Sequence, residues 1–91
     1  METLFPLGQI LATPGVLRAA QEAGDNLRLF ILRHAAGDWG DLSAADMKAN
    51  AEALKEGTRL LSAYHLKDGT KIWIITEWDR SASTVLLPEE Y

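Results

Sequence analysis

The chain contains no cysteine, so neither a disulfide framework nor a thiolate metal site can form. It has no excess of positive charge: the formal net charge is −4, whereas a surface that grips a phosphate backbone is usually basic. Direct nucleic-acid binding is therefore not expected, and the negative excess is adequately explained by solubility. No apolar run approaches the roughly 20 residues that cross a bilayer. Met1–Gln9 lacks the basic region and apolar stretch of a secretory leader. There is no glycine-rich phosphate loop after a strand and no nucleophile elbow. These absences predict a cytoplasmic protein with no membrane contact, no cofactor and no metal.

What remains is a chain of 91 residues, 47% hydrophobic and 24% charged, which is one ordinary globular domain over 1–91. The punctuation predicts three helices and then a sheet. Gly8–Ala12 is a short apolar stretch suited to an edge strand. Thr13-Pro14 pairs a hydroxyl N-cap with proline at the first helical position, where no amide donor is missed. Val16, Leu17 and Ala20 fall on one face of that helix, and Gly24 ends it. A second helix opens at Asp25 or Asn26, with Leu27, Phe30, Ile31 and His34 at the spacing of one buried stripe. Gly37 and Gly40 force a loop. Ser43 with Asp46 resembles a capping box, and the helix it opens carries Met47, Ala51 and Leu54 inward and stops at Gly57. Asn50 shares that face, where its amide needs a partner.

The last third changes period. Arg59–Leu66 and Lys71–Trp78 flank Asp68-Gly69, a strong type I′ hairpin signal. A two-residue loop there sets Tyr64 opposite Trp73 and Ser62 opposite Ile75, and turns Leu61, Ala63, Ile72 and Ile74 to one face. Thr84–Leu87 follows as a third strand and Pro88 ends it. The expected fold is α+β, with about three N-terminal helices on one face of a three- to four-stranded antiparallel sheet. Leu17, Phe30, Ile31, Met47, Leu54, Leu61, Ile72 and Ile74 form its expected core. The other face, with Tyr64, Trp73 and Ile75, is left to the N-terminal segment or to a second subunit.

Two clusters could carry chemistry. In His34-Ala35-Ala36-Gly37-Asp38-Trp39-Gly40-Asp41, His34 near a helix C-terminus has its cation favoured by the dipole. Asp38 could then orient it as a general base. The structural alternative makes Gly37 a C-cap, Asp38 and Asp41 partners of backbone amides, Trp39 a core plug and His34 part of a helix stripe. In Thr76-Glu77-Trp78-Asp79-Arg80-Ser81, a carboxylate with Arg80 could clamp an anion or a transition state. The structural alternative is a charged hairpin end in which Asp79 and Ser81 bond the turn and Arg80 pairs with Glu77 or Asp38. The residues favour the structural alternative in both clusters. His65 reads as a solvent-facing strand residue, and Glu89-Glu90 as a solvated tail.

Three segments carry a family resemblance: His34-x-x-Gly37-Asp38-Trp39-Gly40, then Asn50-x-x-Ala53-Leu54-x-x-Gly57-x-Arg59-Leu60-Leu61-Ser62-x-Tyr64, then Ile72-Trp73-Ile74-Ile75-Thr76-Glu77-x-Asp79-Arg80-Ser81. With Leu86-Leu87-Pro88-Glu89-Glu90-Tyr91 they resemble a family of short bacterial proteins known as plasmid-related or hypothetical proteins. The resemblance implies a stand-alone bacterial protein connected with mobile elements, and it carries no mechanism. The reading favoured at this point is a non-enzymatic binding or regulatory accessory protein that contacts another protein through Trp39, Trp78, Asp79 and Arg80. The alternative is a small hydrolase or nuclease-like toxin using His34 and Asp38 with Glu77 or Arg80. A third reading is a homo-oligomer paired through the uncovered sheet face or an edge strand.

Overall fold

A computed structural model describes residues 3–91; Met1 and Glu2, part of the stretch judged leader-free, lie outside the described residues. In chain order the described residues form β1 (Gln9–Ala12), α1 (Pro14–Ala23), α2 (Leu27–Ala35), α3 (Ala44–Glu56), β2 (Leu60–His65), β3 (Lys71–Thr76), β4 (Ala82–Leu86) and a 3-10 turn, Pro88–Glu90. The helix starts are set by local chemistry. Thr13 Oγ1 accepts from the Val16 amide, Asn26 Oδ1 from Arg28 and Ser43 Oγ from Asp46, each satisfying one of the orphan donors of a first turn. Gly24 and Gly57 close α1 and α3 in the left-handed conformation, at φ 68° and 73°.

The fold is α+β, as its patterning predicts, but the sheet is mixed. Its order is β1-β4-β3-β2; β2, β3 and β4 run antiparallel, while β1 lies parallel to β4, with Leu11 beside Thr84. A tight turn between consecutive strands dictates an antiparallel pair. No such turn links β1 to β4, so the antiparallel direction expected of β1 had no local support, and the structure corrects it to parallel.

The hairpin register also differs by one residue. Leu66 N–H donates to Thr70 O (2.8 Å) and Gly69 N–H to Leu66 O (2.9 Å), with Gly69 at φ 89°. This is a three-residue loop, a tight turn followed by a left-handed glycine, not the two-residue loop expected. Ser62 therefore pairs with Ile74 and Tyr64 with Ile72. A one-residue slip turns a whole strand over. Leu60, Ser62, Tyr64 and Leu66 face the helices, and Leu61 and Ala63 face away. The exchange has a clear driving force, because it buries Tyr64 and Leu66 and leaves His65 in solvent.

The main core joins Val16, Phe30, Tyr64, Leu66, Ile72, Ile74 and Val85, and a second cluster joins Phe5, Ala53 and Leu60. Burying each Leu- or Ile-sized side chain contributes about 1.5–3 kcal/mol. Leu17 and Met47, expected inside, are exposed. On α3 the buried residues are Asn50 and Ala53, which meet the outer edge of β2 and the Phe5 cluster. The far sheet face is partly covered by the C-terminal residues: Tyr91 meets Trp73 edge-on at 5.9 Å. Glu90 is not a solvated tail end. Its carboxylate accepts from Thr13 Oγ1 (2.6 Å) and from the Leu87 amide (2.9 Å) at the N-terminus of α1, where a negative charge is favoured.

Candidate functional site

His34 lies on the last turn of α2, and its side chain points under the sheet with 0% exposure. Nδ1 meets Ser62 Oγ, and Nε2 meets Thr76 Oγ1 at 2.8 Å. Thr76 Oγ1 in turn lies 2.7 Å from Ser83 Oγ, which donates to Leu7 O at 2.8 Å. The direction of the protons from Nε2 onward follows from the last acceptor. The Leu7 carbonyl cannot donate, so Ser83 gives it its proton and must accept from Thr76. Thr76 then accepts from His34 Nε2–H, and in the neutral ring Nδ1 keeps the lone pair that accepts from Ser62. The imidazole is neutral, in the Nε2–H form. Burial pushes its pKa down to about 4, because the charged form loses its hydration without gaining a carboxylate.

This is the reverse of the cationic His34 expected from the helix dipole, and it separates His34 from Asp38. The Asp38 carboxylate accepts from Arg33 Nε (2.8 Å) and from the Gly40 amide (3.2 Å), and the Arg33 guanidinium holds it below the usual carboxylate range. Phe5 meets the imidazole edge-on at 5.2 Å and Trp39 does so at 5.6 Å, and Trp39 also stacks on Phe5 at 6.1 Å. Trp39 is thus a core plug, as its structural reading had it. Tyr64 Oη donates to Asp38 O (2.6 Å), and burial raises its hydroxyl to about 12.

At the hairpin end, Arg80 has φ 60°, a left-handed conformation that is uncommon for a side chain other than glycine. Its guanidinium donates to Thr58 O (2.6 Å), Glu77 O (3.0 Å) and Ala53 O (3.1 Å), and lies 5.8 Å from the centre of the Phe5 ring. Arg80 therefore caps the end of α3 and pins the β3–β4 turn through carbonyl oxygens. It pairs with neither the Glu77 nor the Asp38 carboxylate. Asp79 Oδ1 accepts from the Ser81 amide (3.0 Å), the turn role expected of it. Glu77 and Trp78 are exposed.

The two clusters are neighbours, since Phe5 touches His34 on one side and Arg80 on the other. What lies between them is an apolar ring. His34, Asp38, Glu77 and Arg80 are not brought together: one faces buried hydroxyls, one an arginine, one solvent and one carbonyls. Beyond Phe5 lies an open groove of about 510 Å³, bounded by Leu4–Pro6, Leu54–Gly57 and Trp78–Arg80. Trp78, 67% exposed, stands on its rim. Among the described residues no three His, Asp or Glu side chains converge as metal ligands, and no helix is long and apolar enough to cross a membrane.

Sequence reasoning missed Ser62, Thr76 and Ser83 as partners of His34. Their signal was present: three hydroxyls on inward-facing strand positions, interleaved with Tyr64, Ile74 and Val85. It becomes visible only once the hairpin register is right. Comparison with protein-family models, with curated proteins and with solved structures returns no match to this chain.

Proposed function

We propose that this chain is a non-enzymatic binding module, an accessory protein that engages a partner protein through the groove beside Trp78. The observation that carries the reading is Trp78 itself: a large aromatic side chain, 67% exposed, on a turn that Arg80 holds rigid through three backbone carbonyls. An exposed aromatic on a fixed backbone loses little conformational entropy on binding, and tryptophan is enriched among residues that dominate interface energies. Leu4 and Leu54 add apolar surface to the groove, and Asp79 and Glu56 give it a polar rim. Of the four contacts expected from sequence, Trp78, Asp79 and Arg80 line the groove, and Trp39 belongs to the core.

The resemblance to plasmid-related proteins supports an accessory role on a mobile element in the bacterial cytoplasm. The hydrolase or toxin alternative loses its support, because its general base is buried, neutral and engaged on both nitrogens. The test is photocrosslinking in bacterial cytosol from a reactive amino acid at Trp78, with the same probe at exposed Lys48 as control. A discrete adduct formed only from position 78, and lost in a Leu54→Glu chain, is the expected result. Identical adduct patterns from the two positions would refute the groove as the contact surface.

A further inference from the structure

The two edges of the sheet are finished differently. Along β2 the outward groups of Leu61 and Ala63 are occupied: Asn50 Nδ2 donates to Leu61 O (2.6 Å) and its Oδ1 accepts from Leu61 N–H (3.1 Å). Ala63 N–H donates to Trp39 O (3.1 Å), and its carbonyl accepts from Asp41 N–H (2.7 Å). Along β1 nothing comparable exists among the described residues. Gln9 N–H donates to Ser81 O and Thr13 N–H to Val85 O, so the odd-numbered residues of β1 face β4, and the backbone groups of Ile10 and Ala12 point away from the sheet. All four residues of β1 are exposed, Ile10 at 51% and Leu11 at 41%.

We infer that the β1 edge pairs with the same edge of a second copy, antiparallel and about a two-fold axis at Leu11, extending the four strands into one eight-stranded sheet. The parity of the strand selects this register. Outward groups of one copy must meet outward groups of the other, so Ile10 faces Ala12 of the second copy and Ala12 faces its Ile10, giving four backbone hydrogen bonds. Leu11 then falls opposite Leu11 in the non-hydrogen-bonded position, where side chains approach most closely. Centring on Ile10 instead would require Gly8 to be extended, and Gly8 sits at φ 66°.

Charge favours a second copy over a charged partner. No residue from Thr3 to Leu17 carries a charge, although the chain as a whole is at −4. The strand itself therefore brings no like charges together, and the carboxylate beside its end, Glu90, is engaged by Thr13 Oγ1 and the Leu87 amide. It also lacks the lysines, prolines and bulges that usually protect an exposed strand from pairing. The inference uses a different surface from the Trp78 groove and stands or falls without it.

Sedimentation of the intact chain at micromolar concentration should give twice the 10.0 kDa chain mass, and Leu11→Lys and Leu11→Glu should each give monomers that melt with wild-type cooperativity. Mixing the two variants should restore the dimer, since opposite charges then face each other on the axis. Because the chain is free of cysteine, Leu11→Cys should oxidise to a covalent dimer, Cα atoms in such a pair lying about 4.5 Å apart. Gln9→Cys, which faces Thr13 of the second copy, should not. A wild-type monomer at 100-fold higher concentration, or Leu11→Lys that dimerises as well as wild type, overturns the proposal.

Discussion

The outer edges of this sheet solve the same physical problem in opposite ways. A strand edge is a row of unpaired donors and acceptors. On β2 that row is consumed internally at Leu61 by one amide side chain and at Ala63 by the loop through Trp39, Gly40 and Asp41. On β1 it is left open among the described residues, uncharged and, in Ile10, Leu11 and Ala12, apolar. The comparison shows what Asn50 and the glycine-bracketed loop are for. Gly40, at φ 74°, lies so close to the Ala63 carbonyl that any β-carbon would collide with it. The acidic, aromatic loop that looks like a site in the sequence is an edge seal. Beneath the sheet the His34 relay joins the two edges, running from Ser62 on β2 through Thr76 and Ser83 to the Leu7 carbonyl just before β1.

Breaking the seal should have the largest effect. Trp39→Ala removes the plug that holds the loop against Phe5 and His34 and should cost about 3 kcal/mol, the lower end for large aromatic truncations because Trp39 is only half-buried; urea denaturation measures it. Next, Asn50→Ala strands the N–H and C=O of Leu61 and should cost about 2–3 kcal/mol, with aggregation through β2 appearing at high concentration in light scattering. A variant as stable as the wild type would show that Asn50 is not the strand's partner.

The relay between the edges is sharpened by pH. Above about pH 6.5, His34 is neutral in both the folded and the unfolded chain. Below it the unfolded chain takes up a proton that the folded one refuses until about pH 4, so stability falls with falling pH. The loss between pH 6.5 and pH 5 should be about 1.5 kcal/mol. Chemical denaturation at the two pH values, with His34→Gln as control, tests this; equal slopes in both chains would contradict it. The smallest effect belongs to Trp78→Ala, which should leave stability within about 0.5 kcal/mol while abolishing capture by a partner.

Helix boundaries were legible in the sequence because caps are local: Thr13, Asn26, Ser43, Gly24 and Gly57 act on residues two to four positions away. The register of the hairpin was not, since Asp68-Gly69 fits a two- or a three-residue loop and the choice is made by burying Tyr64 and Leu66. The direction of β1 was illegible for a related reason, its partner being some 70 residues distant in the chain. His34 was recognised as part of a buried stripe, yet its hydroxyl partners lie 28 and 42 residues away. No local motif joins them.

Amide hydrogen exchange, read residue by residue at two protein concentrations, probes the contrast between the edges most directly. Slow exchange is expected at Leu61 and Ala63 under both conditions, and protection at Ile10 and Ala12 only at the higher concentration. Fast exchange at Leu61, or amides at Ile10 and Ala12 indifferent to concentration, would contradict that contrast.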